Sequence, residues 1–192
     1  RGEKGFSVNL NVGYNSANLI LHCQTTQDMS PFTKPEIEQA LTDAFTQFSD
    51  HIVQVPDSKF TASVNGKWTP GQQLEHLIKS VKPVNLALFG KRDGGSKSYE
   101  LVVAQYQKVL AEGAVATGAY IPKVVTQSQK ENLLQVYQKQ LDLLKGKLEA
   151  LTEQELDSIQ LPHPLLGKLT LREILFFTTY HTLHHLESVR QL

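Results

Sequence analysis

Cysteine, methionine and tryptophan each occur once in 192 residues, and the chain has neither net charge nor a long apolar run. The lone Cys23 excludes an intrachain disulfide framework and the zinc sites that need several thiolates. Lysine plus arginine equals aspartate plus glutamate at 19 each, so there is no basic face for electrostatic capture of nucleic acid. No stretch approaches the ~20 apolar residues of a membrane span. The early Leu19-Ile20-Leu21 is too short for the core of a signal peptide. These absences leave a chain long enough for one domain with a good core, expected in a reducing cytoplasm, with no nucleic-acid or membrane partner.

What remains is helical periodicity, beginning only after the first 28 residues. Residues 1–28 mix Asn, Gly, Ser and Thr without sustained period, and the only methionine, Met29, directly precedes the periodic region. They are expected to be an N-terminal extension upstream of a start at Met29, or else a genuine arm with a short strand around Asn18–Cys23. The organised domain is expected to span residues 29–192.

Three N-terminal capping boxes punctuate that domain: Thr33 with Glu36, Thr69 with Gln72 and Thr170 with Glu173. The first opens a helix to about Ser49 through Ile37, Leu41, Ala44 and Phe48, and residues 50–67 read as an irregular connection. The second opens a helix with Pro70 at its favoured first position, running past His76 towards Phe89, with Pro83 expected to kink or divide it. Gly90–Lys97 reads as a loop and Tyr99–Ala111 as a further helix. A third long helix covers about 128–151, with leucines at spacings of three and four. A short helical piece follows Thr152, and Leu161-Pro-His-Pro-Leu-Leu-Gly167 cannot be helix interior. The third box opens the last helix. With no convincing alternating strand, the fold class is all-α: an antiparallel four-helix bundle with short additional helices.

The last helix carries Tyr180-His181-Thr-Leu-His184-His185. His181 and His185, four apart, lie on one helix face, the spacing by which one helix offers two imidazoles to a metal ion. They fall in an arc of about 100° with Leu171, Ile174, Thr178 and Val189, so that stripe should face the core; His184 is turned about 60° away, towards Phe177 and Tyr180. Core histidines with ordinary hydrogen bonds would explain the same pattern. A third ligand must come from elsewhere, and His76 is the candidate. On its own helix, however, His76 lies about 90° from a charged side defined by Glu75, Lys79 and Lys82, a boundary position equally suited to a surface histidine.

Two segments add to this. Lys67-Trp68-Thr69-Pro70 with Leu74-Glu-His-Leu77, and His163-Pro164-Leu-Leu-Gly167-Lys-Leu169-Thr-Leu-Arg-Glu173 with His181 and His184-His185, resemble the DinB-like superfamily, the damage-inducible, YfiT-like metal-dependent enzymes. The resemblance runs from about Pro31 to Leu192. It implies a four-helix bundle in which one histidine of the second helix and two of the fourth hold a divalent metal: here His76, His181 and His185. His163 and His184 match the local pattern without an assigned metal role.

Three neutral imidazoles on Zn²⁺ or Ni²⁺ leave at least one position open for water or for a thiol. The family includes transferases that use bacillithiol or mycothiol. Thiol-dependent transfer to a small molecule is therefore the first functional expectation, hydrolysis by metal-bound water the second, and a non-catalytic metal-binding stress protein the third. His184 is expected to face substrate or to support the ligands. Bundles of this family can also dimerise through a helical face. Glu173 is read as half of its capping box, Glu187 as a solvated residue, and the aromatics Phe176, Phe177, Tyr180, Tyr99, Tyr106 and Tyr137 as core.

Overall fold

The computed structural model describes residues 32–86, 91–92, 95–112 and 114–192, with backbone only at 91–92. The expectations for residues 1–28, for a start at Met29 and for the chain between Leu86 and Lys91 lie outside the described residues. Four long helices form the body: α1 (Lys34–Gln54), α3 (Pro70–Leu86), α5 (Lys130–Ala150) and α7 (Leu171–Arg190). Shorter pieces are α2 (Asp57–Phe60), α4 (Tyr99–Ala111), α6 (Glu153–Ser158), and two 3₁₀ turns at Gly118–Tyr120 and Gln127–Gln129.

Each expected capping box forms. The Thr33 N–H donates to Glu36 Oε2 at 2.7 Å, the Thr69 N–H to Gln72 Oε1 at 3.0 Å and the Thr170 N–H to Glu173 Oε2 at 2.8 Å. Glu173 does a second job: its Oε1 accepts from the Lys97 N–H at 2.7 Å, tying the segment before α4 to the start of α7.

Neighbours around the bundle run α1–α5–α3–α7, so α1 and α3, successive among the four long helices, barely touch and lie across a diagonal. The connection at 55–69 must therefore cross one end of the bundle. Between α1 and α5, Phe45 stacks on the fully buried Tyr137 with ring centroids 4.5 Å apart. Helix α4 packs on α7. Helix α7 is consequently buried nearly all round its first half, not only on the stripe that periodicity predicts. Thr178 and Thr179 survive there because their Oγ1 atoms donate to the carbonyls of Ile174 and Leu175.

Three expectations need correction. Helix α1 runs on to Gln54, and α2 occupies part of the supposed irregular stretch. Helix α3 runs through Pro83 to Leu86, so Pro83 does not divide it. Strands also exist: β2 (Ile159–His163) and β3 (Gly167–Thr170) make an antiparallel hairpin with Leu161 opposite Leu169, and β1 (Lys91–Arg92) joins β2's outer edge at 159–160. Short strands with two prolines escape a search for alternation. Among the described residues, Pro162 pairs only with Lys168 of β3, a one-sided position in which its missing N–H is tolerated. Gly167, at φ +76°, closes the turn in a conformation that disfavours other residues.

Arg172 ties the hairpin end to the bundle. Its side chain is buried and donates to Asp157 at 2.7 Å, to Glu153 at 2.7 Å and to the carbonyl of Phe32. Its two carboxylate partners are themselves partly exposed and can return to water. Replacing Arg172 by Met should therefore cost about 1–3 kcal/mol, below the cost of stranding a fully buried charge. Chemical denaturation checks this; an unchanged midpoint would show that the network contributes nothing.

Candidate metal centre

Helices α3 and α7 bring His76, His181 and His185 into one buried cluster, with a ligand-type nitrogen of each within 4.8 Å of the others. The contacts are made Nε2 to Nε2: 3.1 Å from His76 to His181 and 3.0 Å from His185 to His181. Nitrogens around a tetrahedral zinc ion stand about 3.3 Å apart, given Zn–N bonds of 2.0–2.1 Å.

The outer nitrogens fix the tautomers. His76 Nδ1 lies 2.7 Å from the carbonyl oxygen of Tyr120, which only accepts, so Nδ1 carries the proton. His185 Nδ1 lies 2.9 Å from Gln73 Oε1, and the Gln73 amide nitrogen points to the Trp68 carbonyl, an orientation that leaves Oε1 as acceptor. Both Nε2 atoms thus present lone pairs to His181. The Nε2 of His181 has at most one proton, so it can answer one of them and not both. A cation is the partner this donor set lacks, and the residues fit one.

Protonation cannot serve instead. Burial lowers the His181 and His185 pKa values well below the ordinary imidazole value, and each is lowered further by its histidine neighbours. His76 is lowered too, by burial, against the opposing pull of the Tyr120 carbonyl and Glu75.

His76 is 6% exposed, which corrects its boundary position on the helical wheel. The charged side of α3 is roofed by the segment after α4. Lys79 Nζ donates to the Ile121 carbonyl at 2.6 Å, and Glu75 Oε2 accepts from the Lys123 N–H at 2.8 Å. That clamp delivers the Tyr120 carbonyl to His76. The half-buried Trp68 covers the cluster from α3's N-terminal side, its ring 4.9 Å from His76 and 6.3 Å from His185, centroid to centroid. Phe177 stacks on His181 at 5.0 Å.

His184 stands apart from the cluster. Its ring is 5.3 Å from that of His185, lies half-buried and loosely stacked on Tyr180, and faces the cavity described next. Glu187 is exposed, and the named aromatics are buried or half-buried, as expected. Sequence reasoning missed the parts played by Gln73, Trp68 and the Tyr120 carbonyl. Gln73 precedes His76 by three, a spacing that could have suggested it, whereas a backbone carbonyl from a distant turn leaves no signal.

The three imidazoles form one wall of a cavity of about 450 Å³. Its other walls come from Trp68, Tyr106, Leu110, the turn-rich 114–117, residues 161–165 at the end of β2 and in the turn after it, Phe177 and His184.

The profile of the DinB superfamily matches residues 40–189. The chain belongs to the DinB superfamily. Two solved structures share its fold: TT2238, a four-helix bundle protein, at 16% identity and TM-score 0.56 over 83% of this chain and 100% of that one, and YfiT from Bacillus subtilis, a probable metal-dependent hydrolase with an unusual four-helix bundle topology, at 18% identity and TM-score 0.52 over 88% and 90%. Comparison with curated proteins finds no match. Among the described residues no helix is long and apolar enough to cross a membrane.

Because the folded chain holds His76, His163, His181, His184 and His185 below the ordinary value, chiefly by burial, it releases protons that the unfolded chain binds below about pH 6.5. The unfolded state carries more protons in that window, so stability rises with pH there. The metal-free protein should melt at a lower temperature at pH 5 than at pH 7, with little change above. A flat profile from pH 5 to 7 would mean these imidazoles are not held neutral.

Proposed function

We propose that this protein is a metal-dependent enzyme acting on a small molecule, with Zn²⁺ or Ni²⁺ held by His76, His181 and His185, and that its first reaction is hydrolysis. The observation that carries the reading is the convergence of three neutral imidazoles, by Nε2, on the wall of a cavity. Three protein donors leave a coordination position free, unlike the closed shell of a structural zinc site. When bound, such an ion supplies Lewis-acid activation of a nucleophile, lowering the pKa of water or of a thiol.

The chain's own residues do the rest. Gln73 and the Tyr120 carbonyl hold two imidazoles in the ligating tautomer. Trp68 and Phe177 pack on the cluster and keep bulk water from it. His184, its pKa lowered by burial, stays neutral near pH 7 and can take or return a proton at the cavity face without competing for the ion.

Hydrolysis is favoured because no described residue lining the cavity is a Lys or Arg, so a cosubstrate bearing several carboxylates finds no side-chain counter-charge beyond the ion itself. The structural neighbour YfiT is described as a probable metal-dependent hydrolase, in line with this reading. Thiol-dependent transfer, of the bacillithiol or mycothiol kind, is the second reading. It is favoured by the absence of a carboxylate base from the described lining, since a thiol held on the ion needs none.

Protein purified without a histidine tag should contain about one divalent ion per chain. That content should vanish in the triple variant His76→Ala, His181→Ala, His185→Ala and survive in His184→Ala. Gln73→Leu should weaken metal affinity about 10–100-fold, as loss of a partner behind a ligand does. Stoichiometric metal in the triple variant would sink the assignment. Turnover of an ester or amide panel without added thiol supports hydrolysis, whereas saturable dependence on thiol would replace it with transfer.

A further inference from the structure

His163 is the last residue of β2, at the mouth of the hairpin turn, and lines the same cavity as the cluster. Its Nδ1 lies 3.2 Å from the Leu165 nitrogen and 3.1 Å from the Leu166 nitrogen, both backbone N–H donors. A nitrogen that receives two donors carries no proton, so the proton of the neutral ring is on Nε2. This is the opposite tautomer from that of His76 and His185, whose protons point outward to protein acceptors. Phe177, edge-on to His163 at 4.3 Å, fixes the ring plane, and burial keeps it neutral by lowering its pKa to about 4. No protein acceptor for the Nε2–H is found among the described residues. It is therefore a hydrogen-bond donor of fixed direction left for whatever fills the cavity.

The rest of the lining limits what that is. Its described residues include no Asp, Glu, Lys or Arg. Away from the three-histidine wall, a charged group would lose its hydration and meet no side-chain counter-charge, whereas a mainly apolar body with an acceptor oxygen would meet largely apolar walls and the His163 Nε2–H.

We propose that the cavity takes an uncharged, mainly apolar small molecule bearing a carbonyl oxygen, and that the Nε2–H of His163 donates to that oxygen. The proposal rests on the reading that this cavity is the substrate site, and it names the substrate class and a specificity-determining residue for it. It does not require the ion.

The test uses three probes of similar shape: butyranilide, neutral with a carbonyl; N-phenylsuccinamate, which adds a carboxylate; and N-butylaniline, which lacks the carbonyl. The variant is His163→Asn, whose Oδ1 can still accept from the turn amides while its Nδ2–H₂, on a shorter side chain and near the place of the imidazole Cδ2, no longer stands where the Nε2–H did. Binding is measured by calorimetry on the full chain, zinc-loaded and chelated, with the carboxylate compared on the chelated chain, where no ion attracts it. His163→Asn should weaken butyranilide about tenfold in both forms, the worth of one hydrogen bond, and leave N-butylaniline unchanged. N-phenylsuccinamate should bind at least about tenfold more weakly than butyranilide. In ¹⁵N-histidine spectra, butyranilide should shift the His163 Nε2–H signal.

Butyranilide affinity unchanged by His163→Asn, equal losses for butyranilide and N-butylaniline, tighter binding of the carboxylate, or no butyranilide binding up to its solubility would each overturn the proposal. Zinc content measured on the same samples separates the two readings. A chain that takes no zinc but shows the His163 effect refutes the metal assignment alone. A chain that binds zinc but is indifferent to His163→Asn refutes this proposal alone.

Discussion

Burying an imidazole is costly unless both of its nitrogens find partners, and this bundle buries three in contact. The local architecture of α3, α7 and the segment after α4 answers that requirement. Gln73 on α3 takes the proton of His185 across the helix interface. The 3₁₀ turn at Gly118–Tyr120 brings a carbonyl to His76, held in place by the Glu75 and Lys79 contacts on either side of that histidine. The inner nitrogens are left facing one another. A fold selected for stability alone would fill this space with leucine, as the same two helices do at Leu74, Leu77 and Leu186.

The position of α7 follows from what surrounds it. It packs against α1, α3 and α4 at once, and the hairpin leads directly into its cap. A helix so enclosed cannot turn to relieve a misfit, so His181 and His185 are fixed by packing on nearly every side. The capping box at Thr170 and the buried Arg172 set its first turn, and threonines bonded to their own helix carbonyls let a polar sequence run through the core. Rigid support of this kind suits a site whose nitrogens stand about 3 Å apart.

Much of the fold was legible in the sequence because capping chemistry and leucine spacing are local signals. The starts of α1, α3 and α7 and both limits of α4 coincide with the expected positions. What escaped was non-local. The diagonal placement of α1 and α3 has no signature in either helix. The hairpin hides behind two prolines that deny a helix without announcing a strand. The spacing of His181 and His185 correctly marked one inward stripe, while the wheel for α3 left His76 at the boundary. A helical wheel knows only its own helix; the loop that covers His76 arrives from more than forty residues away. His163 was visible as part of a motif, but its role depends on which ring nitrogen the hairpin turn claims.

The two tautomer classes and the uncharged lining belong to one electrostatic arrangement. Walls whose described residues carry no fixed charge keep the effective dielectric low, so each remaining dipole acts at greater strength than it would beside solvated lysines or carboxylates. In that setting the direction of every N–H matters. His76 and His185 turn their protons out to the protein and their lone pairs in, whereas His163 turns its lone pair to the hairpin backbone and its proton in. The cavity therefore offers lone pairs on one wall and a donor on another, and the histidine sequence by itself distinguishes neither. A charged side chain in the lining would disturb both, by pairing with the donor or by shifting the proton balance of the cluster. The neutrality of the walls is thus a condition for the histidines to keep their assigned protons.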